Sequence, residues 1–253
     1  MFVAEIRFRL SPEADLDEIH LLLGSLRQNG QIMGKEWPFV QTGQTLKCYV
    51  LIPEVDSLDK SHDNKYVRQI RAGLRKSGFT RFQVKVLGKD PTSRDTDTCA
   101  VPNEYILITD FLTLESPLRC GACYDPVPLY RIPPTYDNSE YYNIKKWETD
   151  YQACDTLQMN CSTGERFGAR EMSDVNSSLS VRGRKICAQI EEMTGKATYY
   201  YLHRYLRRPT RVKEEARRCP SCGGHWLLNE RWHFFDFKCE PCRLVSVISG
   251  GTP

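Results

Sequence analysis

Two Cys-x-x-Cys pairs near the end of the chain constrain its folding more than any other sequence feature. Cys219 pairs with Cys222 and Cys239 with Cys242, and sixteen residues separate the two pairs. Four thiolates complete a tetrahedral zinc shell and leave no open position for a substrate. We therefore predict a structural zinc ion. The strand-like residues between the pairs, with a third strand in 243–249, predict a zinc ribbon.

Metal binding would also stabilise this segment. A module of this size cannot bury enough apolar surface to fold alone, so metal binding must supply its folding free energy. Four unligated surface thiols are the alternative interpretation. His225 and His233 lie in the same loop, but the cysteines already fill the shell, and we interpret both histidines as surface or packing residues.

Composition places the chain among soluble globular proteins. It has 253 residues, 40% of them hydrophobic, and a net charge of +3. No apolar run approaches the roughly 18 residues of a membrane span, and the N-terminus lacks the pattern of a signal peptide. We expect a cytoplasmic protein with no membrane partner, in which the eleven cysteines serve as thiols and metal ligands rather than as disulfides.

Residues 1–90 show a strand–helix pattern that predicts a ferredoxin-like domain. Apolar residues alternate from Phe2 to Leu10, and Ser11-Pro12 then begins a helix. Further strands are predicted at 35–41, 46–52 and 82–86, and a second helix at 66–74. The resulting order, β-α-β-β-α-β, corresponds to a four-stranded antiparallel sheet with two helices on one face. That fold alone decides no function.

The remaining chain completes an α+β protein of three parts. A polar linker, 88–103, leads to a central mixed α/β region at 104–206. This region has predicted strands at 105–112 and 199–206, helices around Trp147 and Ile186, and a polar stretch at 162–177. Residues 207–253 form a basic connector and the C-terminal zinc ribbon.

Positive charge is concentrated at the C-terminal end. From Tyr200 onward there are ten Lys/Arg and five Asp/Glu. Cations interleaved with aromatic rings can bind nucleic acid, the cations through phosphates and the rings through bases. Tyr199, Tyr201, His203 and Tyr205 are predicted on one face of a strand. The alternative is a solvated basic linker beside a core strand. The candidate surface for nucleic acid or another partner comprises Tyr201, His203, Arg204, Arg207, Arg208, Arg211, Lys213, Arg217, Arg218 and Trp232.

A further Cys-x-x-Cys pair, Cys120 and Cys123, leaves two interpretations open. Prolines follow it, which argues against the helix N-terminus of a thioredoxin-like motif. A second metal site would need more ligands, and Cys154 and Cys161 are nearest in sequence. Cys154, however, lies on an apolar helix face and is more simply a buried thiol. Cys99 carries no signal.

We find no pattern that predicts catalysis. A zinc deaminase needs H-x-E before P-C-x-x-C, and this chain lacks H-x-E. A P-loop, a nucleophile elbow and H-E-x-x-H are also missing from the sequence. We therefore expect a protein that is not an enzyme and has no catalytic residues.

Several longer stretches resemble a known family. PLRCGACYDPVPLYRIP, YQACDTLQMNCSTGER, LSVRGRKIC, TGKATYYYLHRY and the MFVAEIRF opening are similar to an uncharacterised bacterial family described as zinc-ribbon-containing, with nucleic-acid binding suggested. The resemblance implies the same four zinc ligands and no catalytic residue. Two hypotheses follow. One is a nucleic-acid-binding accessory protein. The other is a protein-interaction module, such as an immunity protein that neutralises a cognate toxin, with purely structural zinc.

Overall fold

The computed structural model describes residues 1–100, 102–205 and 210–249. They divide into two units. The N-terminal unit contains Met1–Thr98, Leu114–Ser116 and Asp125–Tyr142. The second unit contains Cys99–Thr113, Pro117–Tyr124 and the chain from Asn143 onward. The predicted division at 1–90, 104–206 and 207–253 stays a prediction.

The N-terminal unit has the predicted element order. Its elements are β1 (Phe2–Leu10), α1 (Asp17–Gln28), β2 (Phe39–Thr42), β3 (Thr45–Ile52), α2 (Lys65–Gly73) and β4 (Phe79–Lys89). The strands form one antiparallel sheet in the order β2-β3-β1-β4. The α+β class and the antiparallel sheet of the βαββαβ pattern are thereby confirmed.

Alternation along β1 creates the core of this unit. Ala4, Ile6 and Phe8 are fully buried and pack with the apolar side of α1, which includes Leu22 and Leu26. Burial of these side chains is the main favourable contribution to folding, at roughly 25 cal/mol per Å² of apolar surface. The alternation along β1 and the helical periodicity of α1 therefore identify residues of the same core, one set from the sheet and one from the helix.

The second unit is built on a six-stranded mixed sheet. Its elements are β5 (Glu104–Leu107), β6 (Leu118–Cys120), α3 (Tyr142–Met159), α4 (Glu165–Ser173), α5 (Ser178–Thr194), β7 (Ala197–Tyr201), α6 (Arg211–Glu215), β8 (Leu227–Trp232), β9 (Phe235–Cys239) and β10 (Leu244–Ser246). The strand order is β6-β5-β7-β10-β9-β8. Because β10 pairs in parallel with β7 and antiparallel with β9, the last three strands continue the sheet of the central region.

Adjacent residues of β7 face opposite sides of this sheet. Tyr199 packs in a cluster with Phe235 and Val245. The next residue, Tyr200, contacts the ring of Trp147 from α3 at a centroid distance of 5.9 Å. The strand is therefore buried on both faces, as central parallel strands usually are.

The structure corrects three predictions about the central region. The strand predicted at 105–112 ends at Leu107, and beyond it the Asp110 carboxylate accepts N–H hydrogen bonds from Leu112 and Thr113 in a turn. The predicted polar stretch 162–177 contains helix α4, whose buried Met172 supplies an apolar anchor. Strand β7 ends at Tyr201, so His203 and Tyr205 are not on that strand.

No helix among the described residues is both long and apolar enough to cross a membrane.

Candidate metal centres

The four C-terminal cysteines meet at one point. The Sγ atoms of Cys219, Cys222, Cys239 and Cys242 all lie within 4.8 Å of one another. The Sγ atoms of Cys222 and Cys239 are 3.7 Å apart. A tetrahedral zinc ion with Zn–S bonds of about 2.3 Å places its sulfurs about 3.8 Å apart. This group can therefore hold a metal ion, as the spacing of the pairs predicts.

A tight turn at each pair aims the sulfurs inward. The N–H of Gly223 donates to the carbonyl of Cys219 at 2.8 Å, and the N–H of Cys219 donates to the carbonyl of Gly224 at 2.9 Å. Gly223 has φ +71°, a left-handed conformation that glycine adopts at little cost. The second pair follows a strand directly, since Cys239 is the last residue of β9.

The local environment shifts the pKa values of two of these thiols in opposite directions. The backbone N–H of Gly224 and the neighbouring sulfurs lower the pKa of Cys222 to about 7. Burial instead raises the pKa of Cys239. Because the thiolate is the form that binds metal, Cys222 can bind near neutral pH, whereas Cys239 needs the positive charge of the ion to ionise.

A second group combines three cysteines of the second unit. The Sγ atoms of Cys99, Cys120 and Cys123 lie within 4.8 Å of one another, so this group also has the chemistry to hold a metal ion. The sequence identified Cys120 and Cys123 but not Cys99, which stands in a polar stretch without a motif.

The two cysteines considered nearest in sequence to this second group do not join it. Cys154 is buried on α3, where Gly168 of α4 packs directly against its carbonyl oxygen. This confirms the simpler interpretation of Cys154 as a buried thiol. Cys161 is exposed. Among the described residues, neither belongs to a cluster of potential metal ligands.

The aromatic members of the predicted surface are turned inward. Trp232 donates from Nε1 to the carbonyl of Gly121 at 3.0 Å. Its ring contacts Tyr199 at a centroid distance of 5.4 Å. Tyr201 packs against Phe235 at 5.8 Å. Partial burial of His203 lowers its pKa to about 4. These rings are partly buried and have contacts within the second unit, and their role in binding a partner stays a prediction.

Two of the predicted cations are held by internal partners. Arg204 donates from Nη2 to the Glu214 carboxylate at 2.6 Å. The Arg217 guanidinium lies over the rings of Trp226 and Phe237, at 4.8 and 4.3 Å from their centroids. Burial lowers the pKa of Arg217 to about 10. Their charge therefore serves packing within the unit.

The other predicted cations differ in position. Arg211 is exposed and pairs with Glu215 at 2.7 Å. Lys213 and Arg218 are exposed. Arg207 and Arg208 lie outside the described residues. The sequence pattern did not distinguish the exposed Arg211, Lys213 and Arg218 from Arg204 and Arg217. The Glu214 partner of Arg204, and the rings that Arg217 covers, lie further along the chain.

A groove beside the four-cysteine group contains cations that sequence reasoning missed. It has a volume of about 500 Å³, and its lining includes Arg184, Lys185, Ser221, Cys242 and Arg243. Arg184 donates from Nη2 to the Ser221 hydroxyl at 3.4 Å, which links α5 to the first cysteine turn. The run Arg-Gly-Arg-Lys at 182–185 was the available signal, but it is equally typical of a solvated helix face.

A neighbouring ion pair accounts for one cation of that groove. Arg243 donates to the Glu191 carboxylate, with an Nη2–Oε1 distance of 2.7 Å. This hydrogen bond raises the pKa of Arg243 and lowers that of Glu191. The pair ties the residue after Cys242 to the body of α5.

Comparison with known proteins gives relatives over the whole chain. Models of three domains of unknown function match it: DUF8589 over residues 1–88, DUF2310 over 99–203 and DUF8594 over 208–251. A Haemophilus influenzae protein described as uncharacterised is 35% identical over 98% of this chain and 98% of its own length. A second protein of that organism and description is 38% identical over 68% of this chain and 83% of its own length.

A solved structure resembles part of the chain. Rv0793 from Mycobacterium tuberculosis is 22% identical and covers 37% of this chain and 100% of its own, with a TM-score of 0.28. A similarity at that TM-score supports no conclusion about fold or activity.

Proposed function

The chain belongs to the same family as the Haemophilus influenzae protein that matches it over 98% of both lengths, and we propose that it is a non-enzymatic zinc-binding protein. In this proposal Cys219, Cys222, Cys239 and Cys242 hold one structural zinc ion. The supporting observation is the convergence of four sulfur atoms within 4.8 Å at the ends of two tight turns. Four thiolates satisfy zinc completely, so the ion would have no open position for a substrate.

The position of the group explains what such an ion would stabilise. Cys239 ends β9 and Cys242 stands two residues before β10, so the second turn is the connection between these strands. The first turn precedes β8. A zinc ion would join both turns and fix β8, β9 and β10 as a zinc ribbon. Because β10 also pairs with β7, the ion would stabilise the sheet of the whole second unit.

Replacing one buried ligand tests this proposal. Cys239→Ser should reduce the zinc content by about one ion per chain and lower the thermal stability of the second unit. Cys161→Ser, at an exposed cysteine outside both groups, is the matched control. Zinc is measured by mass spectrometry of the elements after dialysis, and the N-terminal unit is followed by limited proteolysis. Unchanged zinc in Cys239→Ser would refute the ligand assignment.

A second candidate function, contact with a nucleic-acid backbone, is supported by the groove beside Cys242. Arg184 and Lys185 supply cations there, and among the described residues they form no ion pair within 4.0 Å. A zinc ion with four thiolates carries a net charge of about −2, which offsets part of this positive charge. We therefore propose weak, sequence-independent contact with phosphates, with no contribution from base stacking.

Two exposed helical lysines of the second unit provide the test. Lys185→Glu changes a cation in the groove, whereas Lys146→Glu makes the same change on α3, outside the groove lining. Fluorescence anisotropy with labelled single-stranded RNA and duplex DNA should show binding that weakens as salt rises and is reduced by Lys185→Glu alone. Binding no stronger than that of a neutral control protein at low salt would exclude this function.

Affinity purification of the protein, with and without nuclease, distinguishes a nucleic acid from a protein partner. If nucleic acid is the partner, nuclease treatment should remove the bound material. A stoichiometric protein complex that survives both nuclease and high salt would instead favour a protein-interaction module, such as one that neutralises a toxin.

A further inference from the structure

We propose that Cys99, Cys120 and Cys123 form a second zinc site, separate from the C-terminal four-cysteine group. All three belong to the second unit, and their Sγ atoms lie within 4.8 Å of one another. Soft thiolate ligands favour zinc over magnesium or calcium, which bind oxygen. The backbone around the Cys120–Cys123 pair also supports this site, because it forms a turn like the one at Cys219.

The loop at Cys120 repeats the turn found at Cys219. The N–H of Tyr124 donates to the carbonyl of Cys120 at 2.9 Å, as the N–H of Gly223 does to Cys219 at 2.8 Å. The residue after the second cysteine is left-handed in both turns, with φ +67° at Tyr124 and +71° at Gly223. The two pairs therefore present their sulfurs from the same backbone shape.

Tyr124 occupies this conformation at a cost that glycine would avoid. A left-handed backbone disfavours any residue with a Cβ. The turn also directs the N–H of Ala122 toward Sγ of Cys120, at 3.4 Å. Strain together with an amide aimed at a sulfur is expected of a turn shaped for a ligand.

A zinc ion needs one ligand beyond three thiolates. Zinc accepts a carboxylate oxygen or a water in its fourth position. A water molecule can therefore complete the shell of the three cysteines. Each group contains one exposed thiol, Cys123 here and Cys222 in the C-terminal group.

The loop of the second site is attached to the ribbon hairpin. The carbonyl of Gly121 accepts from Trp232 Nε1 at 3.0 Å and faces Nε2 of His233 at 2.8 Å. The Tyr124 ring meets the ring of Phe234 edge-on, at a centroid distance of 5.1 Å. An ion held by Cys120 and Cys123 would therefore also fix the turn between β8 and β9.

Counting bound metal in the full chain tests the proposal. Wild-type protein loaded with zinc and dialysed should retain about two ions per chain. Cys123→Ser should retain about one, and Cys161→Ser, which also replaces an exposed thiol, should retain about two. Cys239→Ser tests the C-terminal group separately, so failure of one site leaves the other measurable. Equal zinc in wild type and Cys123→Ser would overturn the second site.

Thiol protection gives a readout that does not depend on counting metal. With zinc bound, Cys123 should resist alkylation, and a chelator should expose it, while Cys161 should react in both states. Mass spectrometry of the labelled peptides distinguishes the two residues. Equal labelling of Cys123 with and without zinc would refute the proposal. So would a Cys123 that reacts only after reduction, because that result indicates a disulfide.

Discussion

The indole N–H of Trp232 donates a 3.0 Å hydrogen bond to the carbonyl of Gly121, a residue 111 positions earlier in the chain. The bond joins the end of β8 to the loop that carries Cys120 and Cys123. The close approach requires glycine, because a Cβ at position 121 would lie 2.8 Å from Cβ of Glu104 and 3.0 Å from the Trp232 ring. Trp232, which the sequence places in the candidate surface for nucleic acid or another partner, therefore also has a structural role in the second unit.

Trp232→Phe should reduce the free energy of unfolding by about 1 kcal/mol, the usual net contribution of one hydrogen bond. The phenyl ring keeps most of the contact with Tyr199, and Gly121 retains its contact with His233. Urea denaturation followed by far-ultraviolet circular dichroism measures the change. If nucleic-acid affinity fell while stability stayed unchanged, Trp232 would have a surface role instead.

Two helical glycines should respond to alanine in opposite directions. At Gly183 of α5, an added Cβ would collide with the Tyr200 ring and lie 2.8 Å from Nε1 of Trp147. We expect Gly183→Ala to destabilise by about 2 kcal/mol. At Gly24 of α1, no atom apart from the adjacent residues and the nearby backbone of the same helix lies within 4 Å of the added Cβ. Gly24→Ala should therefore stabilise by about 0.5–1 kcal/mol. Thermal unfolding of both variants provides the comparison, and a stabilised Gly183→Ala would contradict the packing between α5 and β7.

Neighbouring glutamates of α6 should differ strongly in their contribution. Glu214 is 1% exposed and accepts hydrogen bonds from Arg204 and from the Ser249 backbone. Burial raises the pKa of Glu214, but these hydrogen bonds outweigh it, so the pKa lies below its usual value. Glu214→Gln should destabilise by about 2–4 kcal/mol, because it leaves the Arg204 cation without its partner.

Glu215→Gln is the matched control for that change. Glu215 pairs with Arg211, whose side chain is 82% exposed. Solvent and salt screen such a pair, so its loss should cost less than about 0.5 kcal/mol. Denaturant unfolding of both variants at neutral pH gives the comparison. Equal losses of unfolding free energy would show that the contacts of Glu214 with Arg204 and Ser249 stabilise no more than the exposed pair of Glu215.

His203 should make stability depend on pH. Burial lowers its pKa from 6.5 to about 4, so the folded chain keeps this imidazole neutral over a range in which the unfolded chain protonates it. The contribution to stability is complete above about pH 6.5 and is lost as the pH falls toward 4. His203→Gln should therefore flatten the fall in unfolding free energy across that window, relative to wild type. Parallel curves for the two proteins would show that His203 titrates normally.

The sequence predicted those features whose signal is local. Alternation in β1 and the period of α1 report on burial directly, because each side chain faces one core. The group of four C-terminal cysteines was identified because two residues between cysteines is the spacing that one ion requires. Both signals lie within a few consecutive residues.

Features that depend on distant pairing were not available to such reasoning. Cys99 joins Cys120 only after β5 and β6 pair, through contacts between Tyr105 and Cys120. The turn at Cys120 could not be predicted from the sequence, because Tyr124 occupies the left-handed position where a glycine would have indicated a turn. Likewise, the charge of Arg204 appears solvated until Glu214 is placed beside it.

Because β10 lies between β7 and β9, the six-stranded sheet cannot be completed until β10 has been synthesised. Strand β7 needs residues 244–246 to satisfy its second edge, and until they leave the ribosome that edge is open. An open apolar edge strand is a template for pairing with other chains. The nascent second unit is therefore exposed to misassembly for the time needed to translate the stretch between β7 and β10, whereas the N-terminal sheet is already complete.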